Sequence, residues 1–224
     1  MPWRMKKSLQ EIRDSRTTRS YSSASVGLIA EVARTPREIH AVQHFRYQVL
    51  KDAGRASDQP CLDHERQRHR DPLDRRLLVF YVRDGERIVG TVRWGLSNWT
   101  AGIDPHPDQI LNTSAFFRQA PESRVGRTDR LVIAPGAPGR FAIPILFGIG
   151  MKIAIDAGCE HDICWCAPPF ASLYRRLGYE PIGLQMQADD GRSLESLRLD
   201  LRQVDAIARR RPVLARAINH RAVA

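Results

Sequence analysis

Six charged residues stand where the surrounding pattern is apolar. Arg46 lies in Phe45-Arg46-Tyr47-Gln48-Val49, and Asp71 and Asp74 frame Asp71-Pro72-Leu73-Asp74. Arg93 follows Val89-Gly90-Thr91-Val92, and Asp129 and Arg130 precede Leu131-Val132-Ile133. An unpaired charge in a protein interior is very costly, so arginines and acids drawn to one cleft must pair with each other. Such a network can order a loop over a site. A guanidinium can also hold a carboxylate through two parallel hydrogen bonds, which an ammonium does less well. Exposed ion pairs would give the same composition and contribute little. A second segment capable of chemistry is Pro135-Gly136-Ala137-Pro138-Gly139-Arg140, set between an apolar run and a long helical pattern. Glycines let backbone N–H groups approach an anion, and a helix N-terminus favours negative charge, which suits a pyrophosphate or phosphopantetheine. A plain tight turn reads the same way. The segment lacks the Lys-Ser/Thr of a P-loop and a G-x-G-x-x-G, which argues against nucleotide hydrolysis and dinucleotide binding.

The elements that must position these residues are legible from period and punctuation. Val26, Leu28, Ala30 and Val32 alternate as a strand, and Pro36 opens a helix whose stripe of Ile39, Val42, Gln43, Phe45, Arg46 and Val49 stops at Gly54. Residues 55–75 are charged and aperiodic, so they are expected to form a long loop. Leu77–Arg83 and Ile88–Trp94 flank Asp84-Gly85 as a hairpin. A short helix is expected over Asp108–Gln119, a buried strand over Arg130–Ala134, and a long apolar helix from Arg140 to Ala157. A strand over Asp162–Cys166 and a helix over Pro169–Leu177 follow. Two strands, Pro181–Gln187 and Ser193–Leu199, then surround Asp190-Gly191, ahead of an Arg-rich helix over Leu201–Ala222 interrupted at Pro212. A hairpin mixed with two βα units predicts an α/β fold around one mixed sheet flanked by helices.

Composition narrows the function. The chain has 224 residues, of which 42% are apolar, enough for one domain with a core. The net charge of +10 sits mainly at the ends. Residues 1–25 carry six Lys/Arg against two acids, and residues 202–224 six Arg against one, leaving the middle near neutral. A nucleic-acid binder would be basic across its body, so no nucleic acid is expected; the ends suit an acidic partner or peripheral contact with an anionic membrane. Residues 1–25 read as a disordered basic tail, 26–200 as the folded domain and 201–224 as the Arg-rich helix. The longest apolar stretch, Phe141 to Ala157, contains Pro144, Lys152 and Asp156, too broken to span a bilayer. No apolar stretch follows the N-terminal basic residues, so no secretory signal is expected. The four cysteines, Cys61, Cys159, Cys164 and Cys166, have no zinc spacing and read as core thiols in a reducing cytoplasm. No metal is expected, and His64 and His69 stay unassigned.

Pro169-Phe170-Ala171-Ser172-Leu173-Tyr174-Arg175-Arg176-Leu177-Gly178-Tyr179 makes the reading specific. With the turn at 135–140 and the strand order, residues 26–200 resemble the GNAT acyltransferase superfamily. The resemblance implies that a pantetheine arm lies between splayed strands, here Arg130–Ala134 and Asp162–Cys166. It also implies that Tyr174 protonates the departing thiolate, which a phenol near pKa 10 can do within hydrogen-bond reach. The charged set goes further and resembles the acyl-homoserine-lactone and N-acyl amino acid synthase branch. Those families show an Arg in the first helix, a D-x-x-D before a hairpin, an Arg on the next strand and an E-x-x-R beyond. By that resemblance Arg46, Asp71, Asp74, Arg93, Asp129, Arg130 and Tyr174 form the catalytic set. Two features depart from it. Arg127 occupies the Glu position of E-x-x-R, with Asp129 a possible substitute beside Arg130, and the Trp after the first helix is missing. Both argue against S-adenosylmethionine and favour an amino acid or another small amine.

The resemblance implies acyl transfer from acyl-phosphopantetheine, carried on acyl carrier protein or CoA, with no tightly bound cofactor. Val132, Ile133, Gly136, Gly139 and Arg140 would contact the donor, and a backbone N–H within Val132–Ala134 would polarise the thioester carbonyl. Asp71, Asp74 and Asp129 are the candidate bases. Phe141, Ile145, Phe147 and Ile149 could line an acyl channel, although they suit packing equally well. Acyl carrier proteins are acidic, which fits docking at Arg140 and the C-terminal arginines. The alternatives are a CoA-dependent N-acetyltransferase and a non-catalytic module that binds acyl groups or nucleic acid.

Overall fold

The computed structural model describes residues 21–23, 27–55, 61–119, 124–188 and 191–210. Residues 1–20 and 211–224, most of the two basic ends, lie outside them, as do 24–26 at the junction of the expected tail and domain. An eight-stranded sheet forms the centre. In chain order its strands are β1 (Tyr21–Ser23), β2 (Leu28–Val32), β5 (Leu78–Asp84), β6 (Arg87–Leu96), β7 (Val125–Ile133), β8 (His161–Cys166), β9 (Glu180–Gln187) and β10 (Ser193–Asp200). In space they lie in the order β1-β2-β5-β6-β7-β8-β10-β9. All neighbours are antiparallel except β7 and β8. The α/β fold around one mixed sheet is therefore as the sequence predicts.

Helices cover both faces. Side chains alternate along a strand, and the two faces separate cleanly. On one face α1 (Pro36–Asp52) sets Val42 against Val79 and Tyr81 of β5. On the other, α3 (Ala137–Asp156) sets Leu146, Ile149 and Ile153 into one cluster with Leu78, Phe80, Val92 and Trp94. Helix α2 (Pro105–Thr113) joins Phe117, Val125, Ile163 and Met186 in a third cluster. The remaining helices are α4 (Pro168–Arg176) and α5 (Val204–Arg210). The start of α1 is fixed locally. Thr35 accepts from the Glu38 N–H, the Glu38 carboxylate accepts from the Thr35 N–H, and Pro36 supplies a preset first turn.

Several boundaries differ from the sequence reading. Tyr21–Ser23, expected within the tail, pairs with β2 as an edge strand. The segment read as a loop over 55–75 holds a small hairpin, β3 (Leu62–Asp63) with β4 (Arg68–His69), and a 3-10 turn over Pro72–Arg75. Two-residue strands are too short to show a period. The helix expected over Asp108–Gln119 starts earlier, at Pro105, because Asp104 caps it by accepting from the His106 N–H. It ends at Thr113, and Phe117–Gln119 form a separate turn. The C-terminal helix begins at Val204, after a 3-10 turn over Leu201–Gln203.

Strand β7 begins at Val125, five residues before the expected start, so Arg130 does not open it. Arg130 lies at a bulge instead. Thr91 pairs with Val132 and Arg93 with Asp129, so Val92 faces two residues of β7, and Arg130 has φ 53°. Just before this bulge the parallel pairing of β7 and β8 ends, at Thr128 and Cys164, while the strands run on to Ile133 and Cys166. The two strands therefore part between the segments where the family resemblance implies a pantetheine arm.

Candidate active site

The six charged residues singled out in the sequence meet in one network on the α1 face. Asp74 accepts from Arg46 Nη1 at 2.8 and 3.0 Å, from Gln43 at 3.2 Å and from Arg93 Nη1 at 3.3 Å. Arg93 lies at the centre. Its Nε and Nη2 grip Asp129 at 2.6 and 3.0 Å, while its Nη1 lies 2.9 Å from Asp71. Asp71 also accepts from Arg130 Nε at 2.8 Å and from the Leu73 N–H at 2.9 Å. Asp71 and Asp74 are fixed by the 3-10 turn that Pro72 starts, Arg46 by α1, and Arg93 and Asp129 by facing positions of β6 and β7.

Two members of the network were not anticipated. Arg127 is fully buried, donates to Asp129, and reaches Asp104 at 2.6 Å and Thr100 at 2.8 Å. Its guanidinium lies over the Trp165 ring at 4.8 Å, and Trp165 in turn stacks on His106. The basic residue at the E-x-x-R Glu position is thus neutralised by Asp104, a helix cap in a stretch with no clear period. Asp129 does not stand in for the missing Glu beside Arg130; it binds Arg93 and Arg127, and Arg130 binds Asp71. The alternation of V-G-R-T-D along β7 was the available signal, since it puts Val125, Arg127 and Asp129 on one side.

The charges shape each other. Burial alone would push Asp71 and Asp129 towards the neutral acid. The guanidiniums of Arg93 and Arg130 beside Asp71, and of Arg93 and Arg127 beside Asp129, override it and hold both carboxyls far below the usual range. The same contacts outweigh desolvation of Arg93 and hold its charge firmly. Both carboxylates are therefore weak bases. His69, next to the network and buried, is held neutral, its pKa lowered to about 3 by burial and by the charges of Arg130 and Arg46. Arg46 Nε and Nη2 and His69 Nδ1 find no hydrogen-bond partner among the described residues. Arg130 differs from the others: its side chain is 38% exposed, and among the described residues it meets Asp71 through its Nε.

Tyr174 is not part of this network. It sits in the cluster under α3, 4% exposed, edge-on to Phe147 at 5.6 Å and to Tyr179 at 5.4 Å. Burial, with the nearby thiols of Cys164 and Cys166, pushes its phenol well above 10, so it stays protonated. On the same face Asp162 accepts from Tyr179 Oη at 2.6 Å, Thr128 Oγ1 at 2.7 Å and Trp94 Nε1 at 3.0 Å. Burial pushes its carboxyl up to about 6, against the pull of these bonds. Asp162 was expected only as part of a strand. A small cavity lies beside it, between the sheet and α3.

The donor-side candidates flank the parted strands. Val132 and Ile133 are half-buried at the end of β7. Gly136 caps α3 at φ 94°, and Gly139 packs so closely that a Cβ would fall 2.0 Å from the Ala134 carbonyl oxygen. Arg140 and Phe141 are exposed on the first turn of α3, and Phe170 is exposed on α4 under Arg55. Of the channel candidates, Ile145, Phe147 and Ile149 are buried in the core and Phe141 is not. Cys159, Cys164 and Cys166 are buried free thiols, and Cys61 is half-buried. Among the described residues no cluster of His, Cys, Asp or Glu is placed to hold a metal, and no helix is long and apolar enough to cross a membrane.

Comparison with known proteins agrees with this fold. The profile of the family described as N-acyl amino acid synthase FeeM matches residues 41–190. The structure of FeeM, an N-acyl amino acid synthase from uncultured soil microbes, superposes with a TM-score of 0.58 at 15% identity, over 79% of this chain and 92% of that one. The acyl-homoserine-lactone synthase LasI gives 0.58 at 12% identity, over 78% and 90%. The CoA-dependent acyl-homoserine-lactone synthase BjaI, solved with SAM and isopentyl-CoA, gives 0.55 at 13% identity, over 80% and 90%. A search of curated proteins finds no match by sequence.

Proposed function

The chain belongs to the FeeM family of N-acyl amino acid synthases and is an N-acyltransferase; we propose that it moves a long acyl group from acyl carrier protein to the amine of an amino acid. The observation that carries this reading is the parting of β7 and β8 beyond Thr128 and Cys164, with Tyr174 buried on one face and the arginine network on the other. The thioester enters the gap from the α3 side. The acceptor approaches from the network side, where Arg130 holds its carboxylate with the guanidinium nitrogens that Asp71 does not use. The neutral amine attacks the carbonyl carbon; the C–N bond forms and the C–S bond breaks. Tyr174 gives its proton to the departing thiolate and is reprotonated through water, so that the proton lost by the ammonium balances the one taken up by the thiolate. The ammonium proton leaves to water, because Asp71 and Asp129 are too firmly paired to accept it. Arg127 is spent on Asp104 and Asp129, so the preference for an acceptor carrying a carboxylate rests on Arg130, whose side chain is partly exposed.

A carrier-protein donor is supported by the Pro-rich turn at 135–140 and by Arg140, Phe141 and Phe170, which combine charge with exposed apolar surface. Purified protein given acyl carrier protein or CoA thioesters and a mixture of amino acids tests the reading by product mass. An N-acyl amino acid is expected from the carrier-protein thioester, with turnover reduced about 100-fold in Tyr174→Phe. Turnover confined to CoA thioesters would overturn the carrier-protein donor. Release of free thiol without N-acyl product would overturn acyl transfer to the amine.

A further inference from the structure

The face under α3 contains one charged group that the transfer reaction leaves unused, the Asp162 carboxylate. It is 3% exposed. Its three hydrogen-bond partners, Trp94, Thr128 and Tyr179, are all neutral donors. Oδ2 accepts twice and Oδ1 once, so Oδ1 keeps acceptor capacity. Such a group is costly in an apolar core, and the fold makes room for it. Gly126 lies directly opposite on β7, where a Cβ would fall 2.8 Å from Oδ1.

These polar groups wall one side of the cavity, with Phe147 and Met151 of α3 on the other. Gly150 also borders it. Glycine weakens the middle of a helix relative to alanine, yet a Cβ here would meet nothing within 4 Å, so packing does not demand the glycine. Its absent side chain leaves space in the cavity.

We propose that this cavity receives the tip of the acyl chain and that Asp162 selects chains carrying a hydroxyl there. The proposal rests on the acyl-transfer reading. The strands part at Thr128 and Cys164, and Asp162 lies two residues deeper, opposite Gly126. From the bulge at Arg130 to Gly126 is about 13 Å of strand, so the hydroxyl sits well down the chain and not beside the thioester. A hydroxyl donates to Asp162 Oδ1, which has acceptor capacity to spare. A methyl end would desolvate the carboxylate with no bond in return.

The test pairs plain and ω-hydroxy acyl donors of about eight to fourteen carbons, a range bracketing that depth. Both sets are supplied on carrier protein and on CoA, and N-acyl products are quantified in direct competition. At the chain length that reaches the cavity, the hydroxylated donor is expected to win by about 10- to 100-fold, the range for a hydrogen bond to a charged group. Asp162→Asn is expected to bring that ratio close to one. Gly150→Leu, which fills the space, is expected to lower the use of that chain relative to shorter ones. If plain chains match or beat their hydroxylated partners at every length, the proposal falls while acyl transfer stands. A preference unmoved by Asp162→Asn would overturn it as well. If no donor of either kind acylates any amino acid, acyl transfer fails and the proposal fails with it.

Discussion

The two faces of the central strands bury comparable side chains by opposite means. Towards α3, a single apolar cluster runs from Leu28 across β5 and β6 to Tyr174 and Val204. Towards α1 and α2, the apolar residues form two separate patches. Between those patches charges alternate, Arg46, Asp74, Arg93, Asp129, Arg127 and Asp104, each holding the next. Apolar burial is non-directional and tolerates sliding, which suits a chain of methylenes. A buried ion network tolerates little displacement, because breaking one link strands a charge. On the proposed reading the first lies beside the donor and the second beside the acceptor, whose amine must be aimed.

The contrast can be broken at its strongest point. Arg93→Met leaves Asp71, Asp74 and Asp129 without their shared cation. It is expected to destabilise the fold by about 3–5 kcal/mol in urea unfolding; a cost below about 1 kcal/mol would mean the network is not a structural unit. On the opposite face Leu146→Ala is expected to cost about 3 kcal/mol through lost burial and a cavity. The exposed Lys152–Asp156 pair on α3, at 3.5 Å, is the internal control. Its removal is expected to cost about 0.2–1 kcal/mol and to fade in high salt.

The faces should also titrate in opposite directions. His69, beside the network, has its pKa lowered from 6.5 to about 3. It binds fewer protons folded than unfolded, so its contribution is complete above pH 6.5 and is lost as pH falls towards 3. Asp162, under α3, has its pKa raised from 3.8 to about 6. Its contribution is complete below 3.8 and is lost as pH rises through 6. His69→Gln should therefore flatten the acid side of the stability–pH curve, and Asp162→Asn the rise-side loss between about 4 and 6. Shifts in the same direction would contradict the two environments.

Much of the charged face was legible because a charge inside an apolar pattern has few explanations. Arg46, Asp71, Asp74, Arg93, Asp129 and Arg130 all read as one network before any contact was known. Arg127 and Asp104 did not. Arg127 lies before the apolar part of β7, where Gly126 hides the strand, and Asp104 sits between turn residues. Asp162 was visible at the head of Asp162-Ile163-Cys164-Trp165-Cys166. Its meaning depends on Trp94, Thr128 and Tyr179, which come from three distant segments, and no local pattern gathers them. The hairpin inside 61–69 was hidden by its brevity.

The division between donor and acceptor faces has one direct test, steady-state kinetics of Arg130→Gln beside Tyr174→Phe with both substrates varied. Arg130→Gln is expected to raise KM for the amino acid about 10-fold or more, as a lost charge-assisted bond should, and to leave KM for the acyl donor in place. Tyr174→Phe is expected to lower kcat with little change in the amino acid KM. If Arg130→Gln instead weakens the donor and leaves the amino acid untouched, the acceptor does not bind on the arginine face, and the central claim is wrong.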